Sequence, residues 1–406
     1  MPGPAPSTRL SAAALERRVK RWLLAGPFDC YVQVAPGLEE TLVGELLAGG
    51  LAPGRAALHV GRGGVGLRLD RVGIMRANLE LRTASRVLLR LGTFPAATPE
   101  MLYDRARGVP WLTQLGFATG YALHVTSRGS RLQAGDAVST TVASAVSREL
   151  RPHGLYPKLT PGAPLTFHVH LVDDRCTVSL DTSGEHLYRR GVRRHVHAAP
   201  VRETLAAAMV LEGAARVGGA GPDVVVDPFC GSGALLIEAA DVLQGLAPGR
   251  SRAFAFEHAA WFRPGAWREV RRRSEALARP LAARVLGLDV DGGALATARA
   301  NLARPEHAAV ELLEADSTRF DLAALGARNG LIVTNPPYGV RLGDERRASA
   351  TSVAFLERLA GSVAWTAVLL VADPAPVTPY LRDARITATR NGGLRVAMVS
   401  GLVGGG

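Results

Sequence analysis

Asn335-Pro336-Pro337-Tyr338 is the stretch whose residue types commit most strongly to a chemistry. It follows the apolar run Gly330-Leu331-Ile332-Val333-Thr334, which reads as a buried strand. Proline fixes its own φ, lacks an N–H and holds the preceding residue extended. The strand therefore stops at Asn335, leaving an amide side chain and bare carbonyls at its carboxyl end. In open α/β sheets that end is where ligands bind. The Asn335 side-chain oxygen and the Pro336 carbonyl can each accept one hydrogen from a planar amino group. Such contacts favour the nitrogen as it turns tetrahedral and attacks an alkyl donor in line.

A second element lies about a hundred residues upstream, Val224-Val225-Val226-Asp227-Pro228-Phe229-Cys230-Gly231-Ser232-Gly233. Val224 to Val226 reads as a strand that Asp227 ends, and Gly231 and Gly233 turn the chain into a helix over 234–243. A glycine turn lets the backbone approach a ligand closely, and the helix N-terminus favours electron-rich groups. No Lys follows the glycines, so this is not a P-loop, and the spacing is not that of a dinucleotide fingerprint. The turn suits the carboxypropyl tail of S-adenosylmethionine, with Phe229 beside it. The next strand, 284–288, ends at Asp289, placed to accept hydrogen bonds from ribose hydroxyls. Asp291 is a second candidate, and it also suits the cap of the helix over 293–302. A third strand, 309–314, ends near Asp316, which could accept from an adenine amino group or cap its own loop. Four successive strands thus carry polar groups at one end, a more specific signal than any single match.

The elements that position these groups change character along the chain. Strands are expected over 28–34, 57–60, 65–69 and 86–95, with helices over 36–48 and 73–84. A helix over 99–108, a strand over 121–127, a helix over 136–150 and a hairpin of 165–171 with 175–181 follow. From Pro200 onward strand and helix alternate, which implies a parallel sheet. The final strands, 367–372, 386–390 and 395–400, complete it, and Asn391-Gly392-Gly393 signals an antiparallel turn between the last two. Gly61-x-Gly63-x-x-Gly66 precedes a strand-like Leu67-Arg68-Leu69, so it reads as a hairpin turn.

Composition bounds the partners. The chain has 406 residues, 47% of them hydrophobic, and a net charge of +12, enough for two or three domains with a sizeable core. The charge favours a polyanionic partner, nucleic acid before membrane, although Lys20 and Lys158 are the only lysines and the arginine bias also suits GC-rich coding. No apolar run approaches the ~20 residues of a membrane span, and no signal-peptide core is evident. Cys30, Cys176 and Cys230 form no metal or disulfide pattern, in keeping with a reduced, cytoplasmic setting. His195-x-His197 has no third ligand nearby, so no metal is expected. Two basic features stay open between nucleic-acid and structural roles. Arg189, Arg190, Arg193 and Arg194 could grip phosphate or form a solvated linker. Within the insertion 249–284, Phe254, Phe256, Trp261, Phe262 and Trp267 lie beside Arg268, Arg271, Arg272 and Arg273. They could stack bases or pack under a basic helix.

The second half resembles the class I S-adenosylmethionine-dependent methyltransferases of the amino-methylating branch. The match is carried by Asp227-Pro-Phe-Cys-Gly-Ser-Gly233, Gly287-Leu-Asp-Val-Asp291 and Asn335-Pro-Pro-Tyr-Gly339. In the first half, Val34-Ala-Pro-Gly-Leu-Glu-Glu40, Gly61-Arg-Gly-Gly-Val65, Arg76-Ala-Asn-Leu79, 81–88, Leu180-Asp-Thr-Ser-Gly-Glu185 and Arg189-Arg-Gly191 look like the THUMP-containing RNA guanine-N2 methyltransferases, near the bacterial 23S rRNA enzymes. The resemblance implies an α/β Rossmann-like methyltransferase domain over 188–406. It implies an α+β ferredoxin-like and THUMP RNA-binding region over 28–187, behind a basic extension over 1–27. Asn335, Pro336 and Tyr338 would be catalytic, with Tyr338 stacking on an extruded base or packing at the strand end. Asp227, Phe229, Gly231, Gly233, Asp289, Asp291, Asp316 and Asn335 would bind the cofactor. One methyltransferase domain is expected where fused members carry two, so the modified nucleotide is not copied over. The expected acceptor is guanine N2 in 23S rRNA or its precursor. The alternatives are tRNA guanine, a DNA adenine, a protein glutamine amide, or a non-catalytic RNA-binding assembly factor.

Overall fold

The structure is a computed structural model that describes residues 10–191, 201–337, 344–359 and 365–404, with side chains in the third stretch from 350 onward. Two sheets organise it. In the first half, β1 (Phe28–Val34), β2 (His59–Gly61), β3 (Gly64–Leu69) and β4 (Ala84–Pro95) alternate with helices Glu39–Ala48 and Arg71–Glu80. Their order, β2-β3-β1-β4, is the ferredoxin-like arrangement. The hairpin read at Gly61 to Gly66 is present, with Gly63 at φ +85 supplying the left-handed turn residue.

The 12-residue β4 is long enough to pair with β1 through its first half and to carry the sheet onward. Its other edge takes β8 (Arg175–Asp181), followed by β7 (Thr166–Val172), β5 (Gly120–Arg128) and the short β6 (Lys158–Leu159). The first half is therefore one eight-stranded sheet, which the sequence pattern did not reveal. Strand β7 alternates strictly, with Phe167, Val169 and Leu171 buried and His168 and His170 turned the other way. That is the signature of a sheet covered on one face only.

In the second half, β9 (Val224–Asp227), β10 (Arg284–Asp289), β11 (Val310–Glu314), β12 (Gly330–Thr334) and β13 (Thr366–Val371) run parallel. The antiparallel β15 (Leu394–Val403) lies between β13 and the edge strand β14 (Leu381–Asn391). The full order is β11-β10-β9-β12-β13-β15-β14. Every residue of β9, β12 and β13 is buried, as expected for central strands with helices on both faces. The chain leaves β9 toward β10 and β11 and returns on its other side at β12. The topological switch point thus lies between β9 and β12.

The two halves meet through side chains that the sequence suggested for other work. The basic extension forms a helix, Ala12–Leu24, capped by Ser11. Its Leu15 and Val19 are buried in the main core, and Glu16 pairs with Arg263 at 2.7 Å. In the 249–284 insertion, Phe254, Phe256, Trp261 and Trp267 are all buried and pack on one another. The Trp261 indole donates to the Gln114 side chain at 2.9 Å, and the Phe256 N–H donates to the Thr182 carbonyl at 3.0 Å. These four aromatics are mortar between the halves and are closed to bases. Arg190 is corrected in the same way. It is 5% exposed, donates to both Glu238 oxygens at 3.1 and 3.3 Å and to the Arg82 carbonyl at 2.8 Å, and cannot grip phosphate. Arg193, Arg194, His195 and His197 lie outside the described residues. Among the described residues no helix is long and apolar enough to cross a membrane.

Candidate active site

Asp227 and Thr334 are the last residues of β9 and β12, the two strands flanking the switch point. The Thr334 hydroxyl donates to Asp227 Oδ1 at 2.8 Å, and the Phe229 N–H donates to the same oxygen at 3.2 Å. Asp227 is 3% exposed. Burial pushes its carboxyl up to about 7 against those hydrogen bonds, and the nearby Asp289 charge adds to the rise. Asp227 thus ties the strand ends from inside, and what it offers a ligand is the backbone it holds in place.

The glycine turn follows. Gly231 (φ +50) and Gly233 (φ +81) take left-handed conformations, and Gly233 caps the helix Ala234–Leu243. Nothing lies within 4 Å of where a Cβ on Gly231 would be, so the turn faces open space. It is held from both sides. The Gly231 N–H donates to Asp289 Oδ2 at 2.9 Å, and the Asn301 amide donates to the Ser232 carbonyl at 3.0 Å. Behind it the packing is tight: a Cβ on Gly287 would be 2.9 Å from Leu312 Cδ2 and 3.0 Å from Cys230 Sγ. Burial pushes the Cys230 thiol well up, so it is no nucleophile.

Asp289 ends β10. Its other oxygen accepts the Asp291 N–H at 3.0 Å, leaving further lone pairs on a carboxylate that has about four. Asp291 caps the helix Gly292–Asn301 by accepting from the Gly293 and Ala294 N–H groups at 2.8 and 3.3 Å. Between them Val290 is 68% exposed. A large apolar side chain at the mouth of a polar crevice suits the face of a planar ring. Asp316 is exposed and closes its own turn, accepting from the Thr318 N–H and hydroxyl at 3.0 and 2.7 Å. Those bonds hold its carboxyl below the usual range.

Asn335 follows β12 directly and is half-buried, Pro336 is buried and Pro337 exposed. Phe229 lies edge-on to Phe355 with ring centroids 5.7 Å apart, walling the same end of the sheet. Tyr338 lies outside the described residues. Asp227, Phe229, Gly231, Gly233, Asp289, Asp291 and Asn335 are therefore gathered at neighbouring strand ends, with Asp316 at the end of β11, the sheet's far edge. Three residues escaped the sequence reading. Thr334 carried the weak signal of a hydroxyl closing an apolar strand, and Val290 that of an apolar residue between two aspartates. Asn301 carried none.

A methyltransferase-domain model described as "RMKL-like" matches residues 190–394, half of the chain. The chain belongs to this RMKL-like methyltransferase family. A second model, the RlmL ferredoxin-like domain, matches residues 29–88, the segment that forms β1 to β4 up to Leu88. The ribosomal RNA large subunit methyltransferase K/L of Syntrophotalea carbinolica is 33% identical over 365 residues, covering 86% of this chain and 50% of that protein. The chain spans about half the length of the K/L relatives it matches. The putative RNA methyltransferase YpsC of Bacillus subtilis is 31% identical over 68% of this chain and 71% of its own. Among solved structures, SMU.472, described as a putative methyltransferase complexed with SAH, superposes with a TM-score of 0.81 at 27% identity. It covers 93% of this chain and 98% of its own. The methyltransferase domain therefore has the fold that places the switch-point crevice between Asp227 and Asn335.

Proposed function

We propose that the protein is an S-adenosylmethionine-dependent RNA methyltransferase that acts in the cytoplasm on the exocyclic N2 of a guanine, in 23S rRNA or its precursor. The observation that carries this reading is the placement of Asn335 and Pro336 across the switch point from the open glycine turn. The K/L and YpsC likenesses support an RNA acceptor, and the SAH in SMU.472 supports the cofactor.

The residues present fit that cofactor. The Gly231 turn leaves room for an amino-acid tail, Asp289 keeps lone pairs for ribose hydroxyls, and Val290 offers an apolar face to adenine. Asp291 and Asp316, already turned to local backbone, contribute the shape of their loops. S-adenosylmethionine supplies an electrophilic methyl group on a sulfonium. The protein's own part is at Asn335 and Pro336. Their side-chain and main-chain oxygens accept the two hydrogens of the guanine amino group and favour the nitrogen lone pair as it localises for attack. No general base is required, because the proton leaves after transfer. Tyr338 is assigned to stacking on the extruded base. The region 28–187 is assigned to RNA binding as a ferredoxin-like and THUMP unit, and 188–406 to catalysis.

The test supplies purified protein with labelled cofactor and, separately, unmodified 23S rRNA, tRNA and DNA, then identifies the methylated nucleoside by mass spectrometry. N2-methylguanosine confined to 23S rRNA is the expected result. Label in tRNA would move the acceptor to the second reading, and N6-methyladenine would overturn the guanine assignment.

A further inference from the structure

The loop after β8 is pinned far more heavily than a connection requires. Arg252 donates to four of its carbonyls, those of Ser183, Glu185, His186 and Arg189, at 3.2, 2.7, 2.8 and 2.8 Å. Arg190 locks its far end to buried Glu238, and the Leu187 N–H donates to the Ser85 carbonyl at 2.9 Å. What this rigid loop displays outward is His186 and Tyr188, flanked by the exposed ion pair of Arg189 with Glu185 at 2.9 Å. Their rings are stacked, with centroids 5.4 Å apart and an interplanar angle of 16°. His186 is exposed and Tyr188 half-buried.

Two guanidinium groups flank the stack, Arg86 at the edge of the His186 ring and Arg202 over the Tyr188 face. On one side Arg86 Nη2 is 3.4 Å from His186 Nε2, and on the other the Arg202 guanidinium lies 5.1 Å from the Tyr188 ring centroid. From Arg86 a chain of polar contacts continues onto the uncovered face of the eight-stranded sheet. Arg86 pairs with Asp181, His168 Nε2 lies 3.7 Å from the same carboxylate, and the exposed His124 ring is 5.0 Å from that of His168. Partial burial, with the Arg86 and Arg202 charges, pushes the His186 imidazole below its ordinary value and so favours the neutral ring.

On the other side, Arg202 reaches the methyltransferase domain on its catalytic side. The Arg202 N–H donates to Asn391 Oδ1 at 3.3 Å. Asn391 ends β14, which runs in the direction of β12 and β13. Thr334 is level with Leu369, Leu369 with Val399 and Val399 with Ile386, and Asn391 lies further along the same strand. At ~3.4 Å per residue the hairpin projects roughly 17 Å beyond the edge where Asn335 sits. Gly37 (φ +92) of the first half packs on it so closely that a Cβ there would collide with the Ala388 carbonyl oxygen.

We propose that the His186–Tyr188 stack is a binding site for single-stranded RNA, which takes a base against the exposed His186 ring, backed by Tyr188, and flanking phosphates on Arg202 and Arg189. It rests on the reading of the protein as an RNA enzyme and says where the strand beside the target guanine is held. Rings with a π-face accept any base, and guanidinium groups beside them meet the phosphates. A double helix, whose bases are already stacked on one another, has no face to offer the rings.

The test measures binding of a labelled single-stranded RNA of mixed sequence, without turnover, to the full chain and to His186→Ala/Tyr188→Ala. The double variant is expected to bind roughly tenfold or more weakly, the loss that follows removal of a stacked base, with affinity for S-adenosylmethionine unchanged. Tyr188→Phe should restore tight binding. Should the double variant fold poorly, photo-crosslinking of 4-thiouridine RNA to the wild-type chain replaces it, and the crosslink is expected in the peptide spanning residues 183–191. Equal affinities, or crosslinks only elsewhere, overturn the site while the RNA reading stands. No RNA binding by the wild-type chain overturns both.

Discussion

The eight-stranded sheet buries one face and leaves the other polar, whereas the central strands of the seven-stranded sheet are buried on both. The difference decides where each can carry function. A doubly covered sheet has no free face, so its chemistry is confined to strand ends, and there Asp227, Asp289 and Asn335 gather. A sheet covered once can present side chains along its whole surface, and His124, His168 and Arg90 lie on such a face. The polar groups of the two sheets also differ in what restrains them. Those at the strand ends are fixed by backbone N–H groups, as Asp289 is by Gly231 and Asp291. Those on the open face are fixed by one another, as Thr126 and His170 are at 2.6 Å.

The largest effect is expected at a strand end. Asn335→Ala should lower single-turnover methyl transfer by roughly 10²–10³-fold, the loss typical of one preorganised hydrogen-bonding group, while cofactor affinity stays nearly constant in calorimetry. Retained turnover would take the chemistry away from the strand end and break the contrast between the sheets.

A smaller effect is expected where the two sheets are joined. Asp241, on the helix after the glycine turn, accepts from Arg250 at 2.7 and 3.0 Å and lies 2.8 Å from His307. Its main-chain carbonyl accepts from the buried Arg82 of the first half at 3.1 Å. Burial alone would raise its carboxyl, but the bonds from His307 and Arg250 outweigh that and hold it at about 2. A carboxyl whose folded value lies below its unfolded one stabilises the fold above the unfolded value, and the benefit disappears as pH falls through the folded one. The window is therefore pH 4 down to 2. Asp241→Asn should cost about 3 kcal/mol at pH 7, as breaking a buried pair does, read from urea midpoints. The variant should also lose the wild-type's steep decline over pH 4 to 2. Parallel acid curves for the two proteins would show that Asp241 contributes nothing to the seam.

The smallest effects test the one-sided burial itself. Val178 and Thr177 are neighbours on β8, the first fully buried and the second on the open face, where its hydroxyl lies 3.1 Å from that of Thr93. Val178→Ala should destabilise by about 2 kcal/mol through lost burial and the cavity left behind. Thr177→Ala should stay within about 0.5 kcal/mol. Equal costs in thermal melts would show that burial along β8 is not one-sided.

Much of both sheets was legible in sequence because their strands are bounded by turn residues that tolerate positive φ. β1 occupies the expected 28–34, and β8 the expected 175–181. The turns at Gly63, at Asp173 and Asp174, and at Gly392 carry positive φ at the residues that allow it. Boundaries were less secure where a helix met a strand. The helix expected to reach Ala84 ends at Glu80, because β4 takes Ala84 into its pairing with Val34. The aromatic-arginine insertion was open to two readings since stacking on bases and packing in a core use the same residue types. Only burial separates them, and Phe256 and Trp261 are closed off by the other half of the chain.

The sequence by itself determined the strand ends. Proline after Asn335 restricts φ locally, and glycine at 231 and 233 permits the left-handed turn that few other residues adopt. It also determined the residue types that such an end can offer a planar amine. What only the tertiary structure decided is which polar residues remain available. Arg190 and Arg189 are adjacent in sequence, yet one is buried and locked against Glu238 and the other is exposed in a surface pair with Glu185. Asp227 is sealed beneath the turn it supports, and Asp289 keeps lone pairs at its mouth. Burial and pairing arise from segments up to 247 residues apart, as Glu16 and Arg263 are, and periodicity along a chain carries no record of them.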